Sequence, residues 1–103
     1  MEEWKIEDIA YFLQQKRTGL LYLYTPLCGT CQIAAKMLTI TEKILPELTI
    51  GKSNLNYVSQ LAEKYFIESV PCLLFIKEGE VIEKIYAFHS VLYLAEKIQA
   101  ILI

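Results

Sequence analysis

The chain has 103 residues, of which 54% are apolar and 21% are charged, and its net charge is −2. This length predicts a single domain spanning 1–103, and the high apolar fraction with a small net charge argues against a disordered chain. Nucleic acid is not expected as a partner, because the chain has no basic stretch that would bind phosphate backbones. A membrane is not expected either, because no apolar run approaches the length of a transmembrane helix, about 20 residues.

The first half of the sequence predicts a helix, a buried strand and a second, longer helix. Apolar residues recur at helical spacing over Ile6–Leu13, and Gly19 is expected to stop this helix in a left-handed conformation. The unbroken apolar run Leu20–Tyr24 is typical of a strand covered on both faces. The long helix follows Thr30 and ends before Pro46. Its predicted core-facing residues are Ile33, Met37, Ile40 and Ile44, with Ala34, Leu38 and Leu45 beside them.

The second half predicts a strand, a helix, a hairpin and a last helix. A short strand is predicted at Leu48–Ile50, followed by a helix over about Tyr57–Phe66 that Asn56 caps. The hairpin consists of a buried strand at Cys72–Ile76, a turn at Lys77–Glu80 and an alternating strand at Val81–Tyr86. Ser90 caps the last helix, whose predicted core residues are Val91, Leu94, Ala95, Ile98 and Ile101 or Leu102. Crossover helices require parallel strands, and the hairpin requires an antiparallel pair. The sequence therefore predicts an α/β fold with a central mixed sheet.

Two of the three cysteines, Cys28 and Cys31, form a C-x-x-C pair between the first buried strand and the long helix. The acidic N-terminus shows no secretory signal pattern, so a cytoplasmic protein is expected, and in a reducing compartment this spacing indicates redox chemistry or metal binding. The free N–H groups of a helix N-terminus favour the thiolate of Cys28. Because two intervening residues allow the about 5–6 Å Cα separation of a disulfide, Cys28 is expected to attack a substrate disulfide and Cys31 to resolve the mixed intermediate.

Two other interpretations of the pair are weaker. Free cysteines are often inert core residues, but the succession of strand, C-x-x-C and helix is the setting that a redox motif requires. A structural zinc ion needs four ligands, and the only further candidates are Cys72 and His89. No metal site is therefore expected.

These features resemble the thioredoxin family over nearly the whole chain. The resemblance is carried by the strand Leu20–Tyr24, the motif Cys28-Gly29-Thr30-Cys31, the segment Ser69–Phe75 and the turn Glu78-Gly79-Glu80. It implies a thioredoxin-like fold, in which helices cover both faces of the central mixed sheet. It also implies that the Val70–Pro71 peptide bond is cis, faces the active-site disulfide and lies where the substrate backbone pairs.

The resemblance implies a function as well. A thiol–disulfide oxidoreductase is expected, which reduces disulfide-containing proteins or low-molecular-weight disulfides and has Leu27, Gly29 and Thr30 in its active-site loop. Electrons would come from a flavin-dependent thioredoxin reductase or from a small thiol. The protein would act as a monomer and need no bound cofactor beyond its own Cys28–Cys31 disulfide. The alternatives are a thioredoxin-fold binding or accessory protein of low turnover, and a redox sensor.

The chain departs from the family pattern around the cysteine pair. Leu27 replaces the usual Trp before the first cysteine, which leaves less aromatic surface beside the thiol. Tyr22 occupies the position of a buried Asp that is thought to help deprotonate the resolving cysteine, so its loss puts efficient turnover in question. Lys52 matches the lysine that accompanies this Asp. It is expected either to keep a positive field near the pair or to extend into water.

Thr30 replaces the usual Pro between the cysteines. Its hydroxyl and its backbone N–H are two candidate donors to the Cys28 thiolate. A stabilised thiolate stabilises the reduced form, which predicts a reduction potential less negative than that of a typical thioredoxin. The alternative is that Thr30 is an ordinary residue of a first helical turn.

Cys72 and His89 each have a functional and a structural interpretation. Cys72 directly follows Pro71, which places it beside the active site in the family fold. There it would pair with Cys28 or share a metal, but a core-facing strand residue is the favoured interpretation. His89 is expected to be exposed to solvent, because no catalytic partner is near it in sequence.

Overall fold

The computed structural model describes all residues, 1–103, and contains five strands and four α-helices. In chain order they are β1 (Glu2–Glu3), α1 (Ile6–Gln14), β2 (Gly19–Tyr24), α2 (Gly29–Ile44), β3 (Ile50–Asn54), α3 (Ser59–Lys64), β4 (Cys72–Lys77), β5 (Glu80–Ile85) and α4 (Val91–Leu102). The predicted order of elements is confirmed from α1 onward, with the two-residue β1 added before it. None of these helices has both the length and the apolar character needed to cross a membrane.

The strands form one mixed sheet in the order β1-β3-β2-β4-β5. β3 is parallel to both β1 and β2, whereas β4 is antiparallel to both β2 and β5. The central strands β2 and β4 are buried on both faces, as their unbroken apolar runs predict. The predicted mixed sheet is therefore confirmed.

Two hydrophobic cores lie on opposite faces of this sheet. Leu20 and Tyr22 of β2 contribute to the core under α2 and α4. Leu21 and Leu23 contribute to the core under α1 and α3. Successive side chains of a strand point to opposite faces, so one buried strand supplies both cores.

The end of α1 differs from the prediction. The helix ends at Gln14, and Lys16, not Gly19, has the left-handed φ of 53°. Gly19 is the first residue of β2, where an added Cβ would overlap the carbonyl oxygen of Thr49. Glycine is needed here because two backbone segments approach closely, not because a helix must stop.

The buried stripe of α2 also differs from the prediction. Ile33, Ile40 and Ile44 are 59%, 49% and 53% exposed. Met37 is half-buried, and Ala34 and Leu38, which were predicted beside this stripe, are buried together with Cys31 and Thr41. Thr41 is tolerated in the core because its hydroxyl donates to the Met37 carbonyl at 2.8 Å. The two stripes are one residue apart, about 100° around the helix, and contact with the sheet decides between them.

The strand and helix predicted around residues 48–66 are both shifted. The strand is Ile50–Asn54 rather than Leu48–Ile50, because its pairing with β2 continues through Lys52 and Ser53. Asn56 does not cap a helix over Tyr57–Phe66. Instead the Asn54 side chain accepts from the Asn56 N–H, a 3₁₀ turn follows over Leu55–Tyr57, and α3 occupies only Ser59–Lys64.

The β4–β5 hairpin turns at Glu78 and Gly79, whose φ values of 52° and 82° are typical of a type I′ turn. A bulge then breaks the predicted alternation of β5, since Phe75 pairs with Glu83 but Ile76 pairs with Val81. Val81 therefore packs on the α1–α3 side and Ile85 on the α2–α4 side, although the sequence predicts one shared face.

The last helix agrees with the prediction except at Val91, which is only half-buried and lies outside both cores. The Ser90 side chain accepts from the Tyr93 N–H at 3.0 Å, which caps α4. Of the two alternatives at the end of its core stripe, Leu102 is buried and Ile101 is only half-buried. The capping residue thereby fixes where α4 begins.

Candidate active site

The cysteine pair lies at the junction between β2 and α2. Cys28 is the N-cap residue of α2, and Cys31 is in its first turn. The two Cα atoms are 5.2 Å apart and the sulfurs are joined in a disulfide, so the predicted proximity is confirmed. The strand end and the helix start together set this geometry, because only residues 25–28 separate the end of β2 from the first residue of α2.

The two sulfurs differ in access. Cys28 is half-buried, and its neighbours Leu27, Gly29 and Thr30 are exposed. Cys31 is only 3% exposed and belongs to the core under α2. A substrate approaching from solvent therefore reaches Cys28 first.

Two donors lie near the Cys28 sulfur. The Cys31 backbone N–H donates to Cys28 Sγ at 3.1 Å, and the Thr30 Oγ1 lies 3.4 Å from the same sulfur. The predicted contact with the Thr30 hydroxyl is thus present. The backbone donor is the N–H of Cys31 rather than that of Thr30, because the N-cap position directs Cys28 toward the third residue of the helix.

The Val70–Pro71 peptide bond is cis, as the resemblance implies. Val70 and Pro71 are both half-buried. A cleft of about 290 Å³ runs between Pro71 and the first turns of α2. Its lining residues are Thr30, Ile33, Ala34, Met37, Pro71, Tyr86, Phe88 and His89.

Sequence reasoning missed the part of this cleft that comes from the segment after β5. His89 is exposed, as predicted, but it lies at the cleft with Tyr86 and Phe88. The signal was available in the hairpin. Because β4 and β5 are antiparallel, with Leu73 opposite Ile85, the residues after β5 must return to the residues before β4.

The loop that precedes Pro71 is tied to β5 by side chains that the sequence does not single out. Lys84 Nζ donates to the carbonyls of Tyr65 and Phe66 at 2.7 and 2.8 Å. The Tyr86 hydroxyl accepts from the Glu68 N–H at 3.2 Å. These hydrogen bonds fix the position of the loop that leads to Pro71. Within this loop, Phe66 has a left-handed φ of 55°.

Tyr22 lies directly beneath the cysteine pair. It is 1% exposed, and its hydroxyl donates to the Cys31 carbonyl at 2.5 Å. Burial, with a smaller contribution from Tyr24, raises the pKa of Tyr22 to about 12. The residue at the position of the family's Asp is therefore a protonated hydroxyl that donates a hydrogen bond, not a carboxylate that can accept a proton.

Lys52 is half-buried on β3, where it pairs with Tyr22 in the sheet. Its Nζ lies 5.8 Å from the ring centroid of Tyr24. A cavity of about 200 Å³ is lined by Lys52, Tyr22, Tyr24 and Cys31, among others. The structure thus brings Lys52 to the inner side of Cys31, without an acidic partner in a salt bridge.

Cys72 is separated from the pair by the sheet. It is fully buried in the core under α1 and α3, whereas Cys31 belongs to the core on the other face. Burial raises the pKa of the Cys72 thiol to about 11. The interpretation of Cys72 as a core-facing strand residue is therefore supported. No three His, Cys, Asp or Glu side chains are grouped as metal ligands.

Known sequences similar to this chain are thioredoxins and thioredoxin-like proteins. The sequence model of the family described as Thioredoxin matches residues 5–100. The thioredoxin-like protein YusE of Bacillus subtilis (strain 168) is 55% identical over 94 residues, which cover 91% of this chain and 81% of that protein. The thioredoxin of the same strain is 33% identical over 66 residues, which cover 63% of this chain and 64% of that protein.

Solved structures give the same result for the fold. Mitochondrial thioredoxin 3 of Saccharomyces cerevisiae, in its oxidized form, aligns with a TM-score of 0.84 over 98% of this chain and 95% of that one, at 18% identity. Fasciola hepatica thioredoxin aligns with a TM-score of 0.82 over 97% and 98% of the two chains, at 21% identity. The predicted thioredoxin-like fold is confirmed.

Proposed function

Since the chain belongs to the thioredoxin family, we propose that it reduces disulfides of proteins or of small molecules through Cys28 and Cys31. The observation that carries this proposal is the pair itself. Cys28 is accessible at the N-terminus of α2, and Cys31 lies behind it at a Cα distance of 5.2 Å. Neither feature would be needed in a pair that served only to fill the core.

The proposed reaction has two steps. The Cys28 thiolate, held near the Cys31 N–H, attacks a substrate disulfide, so that one new S–S bond forms and one substrate thiolate leaves. The Cys31 thiolate then attacks the Cys28 sulfur, which closes the protein disulfide and releases the second substrate thiolate. Two electrons pass to the substrate, and the protein is left oxidised.

Return to the dithiol requires a donor of two electrons. We propose a flavin-dependent thioredoxin reductase or a small thiol, as for relatives in this family. The two sulfurs carry both electrons, so the proposed reaction needs no bound cofactor. We place the protein in the cytoplasm as a single-domain monomer acting in the reducing direction, because a reducing compartment keeps the dithiol available.

Insulin reduction with dithiothreitol tests the proposal. The parent is expected to accelerate precipitation of the insulin B chain, and Cys28→Ser is expected to abolish the acceleration. Cys31→Ser should instead trap a mixed disulfide with substrate on Cys28, visible as a mass increase that dithiothreitol removes. Equal rates with and without the parent protein would reject the reductase function.

A low-turnover accessory role is the second candidate, and one observation favours it. The site holds Tyr22 where the family has an Asp, and this hydroxyl is already engaged with the Cys31 carbonyl. In that case the parent would bind a disulfide substrate but fail to turn it over. A sensor that uses Cys72 has less support, since this thiol is buried on the other face. Mild peroxide followed by mass spectrometry should give only the Cys28–Cys31 bridge.

A further inference from the structure

Tyr22 is the one polar side chain of the core that contacts the cysteine motif directly. In the sheet it is paired with Lys52 on one side and Leu73 on the other, and its ring points into the core under α2. A buried hydroxyl must find a partner, and the partner here is the Cys31 carbonyl. The sheet is thereby joined to the first turn of α2 at the residue that must resolve the mixed disulfide.

The hydrogen bond acts on Cys31 through its backbone. The carbonyl and the sulfur belong to the same residue, so fixing the one restricts where the other can move. A reacting group that is already in position avoids part of the entropy cost of reaching the attack geometry. The bond therefore bears on the second step of the proposed reaction and leaves the first, at Cys28, largely untouched.

No carboxylate and no imidazole lines the cavity beside Cys31. Its titratable side chains besides Cys31 are Tyr22, Tyr24 and Lys52, and its other polar residues are Thr25 and Gln32. The Tyr24 hydroxyl donates to Glu3 at 2.7 Å, and burial together with this bond raises its pKa to about 12. On the α4 side the same core meets Tyr93, while His89 lies exposed at the outer cleft.

We propose that Tyr22 is a positioning residue for Cys31, and that Cys31 gives its proton to solvent rather than to a side chain. This inference rests on the proposed function. In the step concerned, the Cys31 proton passes to water or hydroxide, and the resulting thiolate attacks Cys28 Sγ. The bond between Cys28 and the substrate sulfur breaks, and the leaving thiolate takes its electron pair. The raised pKa of Tyr22 agrees with a hydroxyl that stays protonated throughout.

Rapid mixing of the reduced protein with 5,5′-dithiobis(2-nitrobenzoate) separates the two steps. A first thionitrobenzoate is released when Cys28 is modified, and a second when Cys31 closes the bridge. The variants are Tyr22→Phe, which removes only the hydroxyl, and Tyr24→Phe, a matched control whose hydroxyl is bonded to Glu3 instead. Rates are measured from pH 5 to pH 8.

Tyr22→Phe is expected to slow the second release about 3- to 10-fold at every pH and to leave the first unchanged. The second release should rise about tenfold per pH unit below the Cys31 pKa, with the same slope in the parent and in Tyr22→Phe. Tyr24→Phe should match the parent in both phases.

A second phase within twofold of the parent in Tyr22→Phe would overturn the positioning role. A changed slope in that variant, or an inflection in the parent between pH 5 and pH 7, would reveal a side-chain acceptor and overturn the solvent route. Failure of the proposed function looks different, because insulin reduction with the parent would then equal the rate with dithiothreitol alone, whatever the rates of the two releases.

Discussion

Thr30 is the residue that we expect to influence the reduction potential of the Cys28–Cys31 disulfide. Its Oγ1 lies 3.4 Å from Cys28 Sγ, next to the backbone donor from Cys31. Hydrogen bonds to a charged acceptor favour the charged form, so both donors favour the thiolate over the thiol. We therefore expect the reduced protein to gain more from them than the oxidised protein does, which predicts that the disulfide is a stronger oxidant.

Thr30→Val is therefore expected to make the reduction potential more negative. The contact is long, so its loss should cost the thiolate about 1 kcal/mol, which corresponds to about 20 mV for a two-electron couple. Equilibration with glutathione redox buffers measures the shift. Thr39→Val is the matched control, because its hydroxyl donates to the Ala35 carbonyl on the same helix, away from the sulfurs. Equal potentials for Thr30→Val and the parent would contradict the prediction.

At the scale of elements, the sequence was sufficient to predict those features that depend on residues close to one another along the chain. The buried runs of β2 and β4, the Ser90 cap and the C-x-x-C position at a helix start all depend on residues close in sequence. The fold class follows from their order. The cis Val70–Pro71 bond came from family resemblance, since no local periodicity predicts it.

The elements that were mispredicted depend on distant contacts. Which face of α2 is buried depends on its packing against the sheet and α4, and periodicity fits two adjacent stripes equally well. The contacts of Lys84 and Tyr86 with the loop before Pro71 bridge about 20 positions of sequence. No pattern within one element reports such a pairing. The same holds for the placement of Tyr22 beneath Cys31.

The corrected stripe of α2 predicts a contrast between two alanine substitutions. Leu38 is fully buried, so Leu38→Ala should lower the free energy of unfolding by about 2–5 kcal/mol. Ile40 is 49% exposed, so Ile40→Ala should change it by less than about 1 kcal/mol. Urea denaturation of both variants measures the difference. Similar losses for the two would mean that the helix buries the Ile-rich face after all.

At the scale of the whole molecule, burial of Tyr22, Tyr24 and Cys72 links stability to alkaline pH. The pKa values of the two tyrosines are raised from the ordinary 10.0 to about 12, and that of Cys72 from 9.0 to about 11. Folding therefore favours the protonated forms. The stabilisation is fully present below the unfolded-state values and is lost as the pH rises through the folded-state values, at roughly 1.4 kcal/mol per pKa unit.

The oxidised protein is therefore expected to have a constant free energy of unfolding from pH 7 to about pH 9 and a falling one above it. Cys72→Ala removes one of the three groups and should make the fall between pH 9 and pH 11 shallower. Urea denaturation at each pH, with the disulfide intact, provides the comparison. If both proteins lose stability with the same slope over this interval, Cys72 does not carry the effect.

The sheet also separates the buried thiol of Cys72 from the accessible sulfur of Cys28. Cys72 lies beyond it, with no exposed surface, while Cys28 opens to solvent on the other side. A maleimide fluorophore offered to the folded dithiol form should consequently attach once, at Cys28. The protein labelled at Cys28 can then be used for fluorescence measurements of binding and distance without first replacing any cysteine.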